Sequence, residues 1–194
     1  MVDVGLPSVR VETRDVPQHT PFRGRALILP GARYSVDRPL LSSAAAMLER
    51  RGWQVSAVRW DLGEQVGEAE GFVVGAAEQL AEQAPNANRT LVVGKSLASH
   101  AAGWAVARGY PSVWLTPLLT APAIRDAIGN STNPTLLIGG TSDDCWDRLP
   151  QRDGLEILEV EKADHGLRVP DRRESDRILD DVTARIERFA AAIC

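Results

Sequence analysis

The sequence predicts an α/β fold, a three-layer sandwich with a mostly parallel central sheet and helices on both faces, and three observations carry that reading. Short apolar runs alternate along the chain with helical patterns. The middle runs are nearly unbroken in Leu, Ile and Val, as strands are when both of their faces are covered. At 194 residues the chain has the length of about one domain, enough to bury a substantial core.

The elements follow in order. After a polar, proline-containing lead-in over 1–24, with one possible edge strand at "SVRVETR", the strand candidates are "RALILPG" (25–31), "QVSAVRWD" (54–61), "TLVVGKS" (90–96), "SVWLTP" (112–117), "TLLIGG" (135–140) and "LEILEVE" (155–161). Residues 25–194 form the main domain in this reading. The segment "RPLLSSAAAMLERRG" places Pro39 near a first helical turn and Gly52 at its end, the usual asymmetry of helix starts and stops. In "DRRESDRILDDVTARIERFAAAIC" an Asp-x-x-Glu box opens a last helix. Its Ile178, Val182, Ile186, Phe189 and Ile193 fall on one face. No internal repeat, low-complexity tract or linker interrupts the alternation. In a sheet of this class ligands sit beyond the carboxyl ends of the strands, so the loops after four of these runs converge on one rim.

Charge and composition narrow the function. A net charge of -4 and a pI near 5.4 provide no basic field for a phosphate backbone, which argues against nucleic acid as a partner. No apolar run approaches the roughly 18 residues needed to cross a membrane, and the N-terminus has no signal-peptide pattern. Cys145 and Cys194 form no metal-ligand spacing and no disulfide framework, and Cys194 is not placed as a prenylation site, so a reduced, cytoplasmic setting is expected.

The stretch "TLVVGKSLASHAAGWAVARG" runs from a strand through Gly-Lys-Ser into an alanine-rich helical pattern. A phosphate-binding loop would need a glycine five positions before Gly94, where Arg89 stands, and "RTLVV" has no glycines to form a cradle. A nucleophile elbow needs small residues two before and two after the serine, and Gly94 and Ala98 meet that need around Ser96. A serine that only caps the next helix is the bland alternative.

The catalytic reading carries a requirement that the rest of the chain must meet. A serine hydroxyl is a weak nucleophile at neutral pH, so it needs a base, and the base needs an orienting carboxylate. Of the three histidines, His19 lies in the lead-in and His100 lies one helical turn past Ser96 on its own helix. His165, in "EKADHGL" after the last strand candidate, reaches the same rim as Ser96. "TSDDCWD" after "TLLIGG" brings Asp143 and Asp144 there too. The order is Ser, Asp, His, each directly after a strand.

These motifs resemble the α/β-hydrolase superfamily, in particular its small, lidless members related to dienelactone hydrolases. "GKSLA" is similar to the elbow, "GGTSDD" to the Gly-x-x-Asp loop that carries the acid, and "ADHGL" to the histidine loop. The resemblance implies an α/β-hydrolase fold and a triad of Ser96, His165 and Asp143, with Asp144 as the fallback acid. It implies an oxyanion hole at the backbone N–H of Leu97, the residue after the nucleophile, and of Ala32, in the loop that follows "RALILPG". Where many relatives have His-Gly in that loop, this chain has Pro30-Gly31. About seventeen residues separate "SVWLTP" from the next strand, too few for the lid domain that the superfamily often inserts there.

The expected activity is therefore a serine hydrolase cleaving a small carboxylic ester or thioester through an acyl-enzyme, with no cofactor and no metal. Its partner would be that small-molecule substrate. Alternatives are an acyltransferase or amidase using the same triad, or a hydrolase-like scaffold that binds a small molecule or protein without chemistry. Tyr34 and Trp146, close in sequence to the oxyanion and acid loops, are candidate substrate-binding residues. Trp53, Trp104 and Trp114 read as core. Lys95 reads as a solvated residue on the strand face opposite Ser96. Asp164 adjoins His165 too closely in sequence to face it, and Asp144 beside Cys145 opposes a thiolate nucleophile.

Overall fold

The structure, a computed structural model, describes residues 9–60 and 69–193. Parts of three sequence readings lie outside these residues: Ser8 of the edge-strand candidate, Asp61 at the end of "QVSAVRWD", and Cys194.

Among the described residues seven strands form one sheet: β1 (Val9–Arg14), β2 (Gly24–Leu29), β3 (Trp53–Trp60), β4 (Thr90–Lys95), β5 (Ser112–Leu115), β6 (Thr135–Gly140) and β7 (Leu155–Val160). Their order across the sheet is β1-β3-β2-β4-β5-β6-β7. All neighbours are parallel except β1, which pairs antiparallel with β3 at the edge, Val11 opposite Val58. The possible edge strand of the lead-in is thus part of the sheet. Every residue of β2, β4, β5 and β6 is buried, which is why these four carry continuous apolar runs instead of alternating ones.

The helices are α1 (Pro39–Arg50), α2 (Ala69–Gln83), α3 (Ala102–Ala107), α4 (Pro122–Gly129) and α5 (Arg172–Ala192). Helices α1 and α5 cover one face with Leu41, Leu48, Val182 and Ile186. The opposite face is covered by α2, α3 and α4 with Val73, Leu80, Ala105 and Ile124. Fully burying an aliphatic side chain of this size contributes about 1.5–3 kcal/mol, so the two layers of side chains dominate what holds the sandwich together.

Local signals set the helix ends. Pro39 occupies the first turn of α1, where its missing N–H costs no hydrogen bond. Gly52 ends the segment at φ +86°, and a Cβ there would lie 2.0 Å from the Pro21 carbonyl oxygen. At α5 the Asp171 carboxylate accepts from the Glu174 N–H at 2.9 Å. Ile178, Val182, Ile186 and Phe189 are buried along one face and Ile193 packs against the same core.

After β4 the expected helix does not begin as an α-helix. Ser96–Ala101 is a 3-10 segment, and α3 starts only at Ala102. A tighter first stretch fits a chain that must turn sharply at Ser96 before it can wind regularly.

Strand order also decides where a ligand can lie. From β2 the chain moves to β3 on one side, and from β4 onward it moves the other way. The carboxyl ends of β2 and β4 are therefore neighbours at the switch point, where the loops on either side part and leave a crevice.

Candidate active site

Ser96 is the first residue beyond β4, with φ +52°. A non-glycine residue in this region carries strain that its surroundings must hold in place. Gly94 is one reason they can. A Cβ there would meet the Trp114 ring at 2.4 Å and the Ala98 methyl at 3.0 Å, so strand, turn and following segment approach as closely as only glycine permits. The Ser99 hydroxyl donates back to the Ser96 carbonyl at 2.6 Å and accepts from the Leu118 N–H at 3.1 Å, bracing the turn against the segment after β5.

His165 and Asp143 arrive on two loops that are fastened together. Gly140 ends β6 so close to the histidine loop that a Cβ would lie 2.1 Å from the Ala163 carbonyl oxygen. The Ser142 N–H donates to that same oxygen at 3.0 Å, and the Lys162 N–H donates to the Thr141 hydroxyl at 2.7 Å. Asp143 is held in turn: its Oδ1 accepts from the Cys145 N–H at 2.9 Å, and its side chain is 1% exposed. Its Oδ2 lies 2.8 Å from His165 Nδ1, and His165 Nε2 lies 2.8 Å from Ser96 Oγ. Residues 22 and 69 positions apart in the chain from His165 are thus both in hydrogen-bond contact with one imidazole.

Asp144 is exposed and turned to solvent, and the carboxylate at His165 is that of Asp143. Asp164 uses its Oδ1 on the N–H groups of Gly166 and Arg168, at 2.7 and 2.9 Å, and so shapes the histidine loop from within. His19 is exposed on the lead-in.

A cavity of about 770 Å³ opens over Ser96 and His165, bounded by the Gly31–Tyr34 loop, the start of α1 and the first half of α5. Ala32 and Tyr34 both line it. Gly31 anchors the loop: a Cβ there would come within 3.5 Å of Ser96 Cβ, and its carbonyl accepts from Trp60 Nε1 at 3.2 Å. Leu97 follows Ser96 with its side chain buried against the α2 face. Tyr34 turns its hydroxyl to the Leu40 N–H at 2.9 Å, and burial pushes its phenol up from the ordinary value.

Two sequence readings meet a different arrangement. Trp146 lies outside the cavity. Gly139 leaves the space that its indole fills, a Cβ there falling 1.9 Å from the ring, and its Nε1 donates to Glu159 at 2.8 Å. Nearness in sequence to the acid loop thus did not bring it to the cavity side of the sheet. Lys95 is not solvated but 2% exposed. Its Nζ donates to the Thr116 hydroxyl at 2.6 Å and to the His165 carbonyl at 2.9 Å, and stands 4.9 Å from the centre of the Tyr34 ring. Burial pushes its amine down to about 8, against the opposing pull of Asp143, Asp164 and Cys145 and with a smaller push from Arg168. The signal was in the strand: Leu91 and Val93 face the core beneath α1, and period two puts Lys95 on their side.

Asp143, Cys145 and His165 offer ligand atoms within 4.8 Å of one another, a spacing that could hold a metal ion. The carboxylate and imidazole already bond each other, however, and burial together with Asp143 and Asp144 pushes the Cys145 thiol up, away from the thiolate a metal would take. Among the described residues no helix is long and apolar enough to cross a membrane.

No family model matches the sequence, and no curated protein does. Solved structures match over most of its length. Est1E of Butyrivibrio proteoclasticus, in its complex with ferulic acid, superposes with a TM-score of 0.71 at 10% identity, over 94% of this chain and 96% of that one. The chain has the α/β-hydrolase fold. A lidless α/β serine hydrolase of Xanthomonas campestris gives 0.70 at 15% identity, over 95% and 88% of the two chains. A serine hydrolase homologue of Coxiella burnetii gives 0.69 at 13%, over 93% and 90%. Between β5 and β6 of this chain stands only the two-turn α4.

Proposed function

We propose that the protein is a serine hydrolase that cleaves a small carboxylic ester or thioester through an acyl-enzyme. One observation carries the reading: the Asp143 carboxylate, the His165 imidazole and the Ser96 hydroxyl are linked by two hydrogen bonds of 2.8 Å, with the serine on a strained turn at the floor of a cavity.

In this mechanism Ser96 Oγ attacks the acyl carbon while His165 Nε2 takes its proton. The C=O π bond opens and its electron pair moves to the oxygen. The tetrahedral intermediate collapses as the imidazolium gives that proton to the leaving alkoxide or thiolate. Water then repeats the sequence on the acyl-Ser96 ester, releasing the acid and restoring the hydroxyl. Asp143 holds the tautomer that leaves Nε2 free to accept. The oxyanion is received by the backbone N–H groups of Leu97 and Ala32, and losing one such donor typically costs about 3 kcal/mol of transition-state stabilisation. Tyr34 contributes to the wall that holds the acyl group. With no insertion over it among the described residues, the cavity suits short or protruding acyl groups.

A fluorophosphonate probe tests the reading. The folded protein should label at Ser96 and release a burst of p-nitrophenol from p-nitrophenyl acetate, both lost in Ser96→Ala. Absence of label on folded wild-type protein, with ligand binding indifferent to Ser96→Ala, would establish the non-catalytic scaffold instead.

A further inference from the structure

Lys95 has no part in the acyl-transfer steps, yet it is the residue before the serine and one of the largest fully buried side chains in the molecule. Its amine sits where three segments meet. Thr116, with φ +43°, offers its hydroxyl from the end of β5. His165 offers its backbone carbonyl from the loop after β7, and Tyr34 lays its ring alongside from the loop after β2. That carbonyl belongs to the residue whose imidazole touches Ser96, so the contact acts on the base through its own backbone.

We propose that Lys95 is a positioning residue: by donating to the His165 carbonyl and the Thr116 hydroxyl it pins the histidine loop to the end of β4 and fixes the point from which the imidazole reaches Ser96. The role of His165 as base rests on the proposed function, whereas the tether itself does not.

The tether has a proton-linked signature. Around the amine stand Asp143 and Asp164, the Cys145 thiol, the Arg168 guanidinium and the Tyr34 phenol. Burial outweighs them and holds the amine at about 8. Opening the histidine loop admits water to the amine and returns it toward its ordinary value of 10.5. Between these values the closed loop binds fewer protons than the open one. Closure therefore strengthens as pH rises through this window and weakens as pH falls through 8.

Hydrogen exchange of the amides in 163–168 reads this directly, in the full chain and without turnover. After correction for the intrinsic exchange rate, wild-type protection should rise about tenfold from pH 7 to pH 9.5. In Lys95→Met, which keeps the length and apolar stem, that rise should vanish, while any contribution of Cys145 or Tyr34 persists in both proteins. An identical pH response in the two proteins would overturn the tether, whether or not the protein is a hydrolase. In protein that labels with the fluorophosphonate, Lys95→Met should lower kcat about ten- to a hundredfold with KM little changed, since a misplaced base costs the chemical step. Lys95→Gln, which retains a donor, should recover part of it. A wild-type kcat in Lys95→Met would overturn the positioning role, and failure of wild-type protein to label would count against the hydrolase reading alone.

Discussion

Two buried cations at opposite ends of neighbouring strands show how one fold uses the same kind of group in two ways. Arg25, near the start of β2, donates to Thr90 Oγ1 at 2.9 Å and to the carbonyls of Ala81, Ala84 and Pro85 at 2.9, 3.1 and 3.4 Å. The Ala81 carbonyl lies in the last turn of α2 and those of Ala84 and Pro85 follow directly after it, where a helix terminus leaves carbonyls without partners and its dipole draws a cation. Lys95, at the end of β4, has two oxygen acceptors, a ring, and a proton it can lose at about 8. Arg25 fastens helix to sheet far from the crevice. Lys95 stands beside the groups proposed to do chemistry. Burial of charge is common to both; the number of fixed partners, and what those partners do, separates a fastener from a positioning group.

Substitutions that divide stability from activity sharpen this contrast, and the largest effects belong at the carboxyl-end rim. Ser96→Ala should reduce hydrolysis by roughly 10⁴-fold or more, with the melting temperature changed little, as measured by p-nitrophenyl ester turnover beside a thermal melt. Asp143→Asn should cost on the order of 10⁴-fold in kcat by releasing the histidine tautomer, whereas Asp144→Asn should keep near wild-type turnover. Equal losses in the two would mean that the carboxylate bonded to His165 is not the one that matters.

At the other end the pattern should invert. Arg25→Met strands several buried carbonyls and is expected to lower stability by about 3 kcal/mol, a drop of roughly 6–12 °C in Tm, with kcat unchanged. A loss of kcat in folded Arg25→Met would break the division between the two ends. The smallest effect is a pH dependence. The folded state sheds the Lys95 proton at about 8 and the unfolded chain at about 10.5, so wild-type stability relative to Lys95→Met should rise between these values, by about 2.5 kcal/mol from pH 7 to pH 10. Denaturant midpoints of the two proteins at several pH values measure it.

Much of this arrangement was legible in the chain. The strands β2, β4, β5 and β6 announce themselves because burial on both faces leaves no polar positions to blur them, and α5 because five apolar residues keep helical spacing over a charged background. The meeting of Ser96 with His165 followed from topology, since a parallel sheet gathers its carboxyl-end loops whatever their separation in sequence. Other features depended on facts a linear pattern does not carry. Gly71 and Gly75 weaken the helical signal of α2, and a Cβ added at either would meet nothing within 4 Å from outside its own turn of helix that would explain the glycine. The 3-10 start after Ser96 reflects strain at one residue. Trp146 misled because sequence distance says nothing about which side of the sheet a large ring will find room on; Gly139 decided that. Lys95 misled through its charge, although its place in the alternation of β4 pointed inward.

Because Gly140 and Ala163 leave no room for even a methyl group between them, the loops that carry Asp143 and His165 are packed together as a single part. Lengthening either one would carry carboxylate and imidazole away together, their mutual spacing intact and their aim at the serine lost. Room for a different acyl group is better sought where the enclosure is built from separate pieces, at the Gly31–Tyr34 loop and the facing turn of α5, which can be exchanged without disturbing that paired unit.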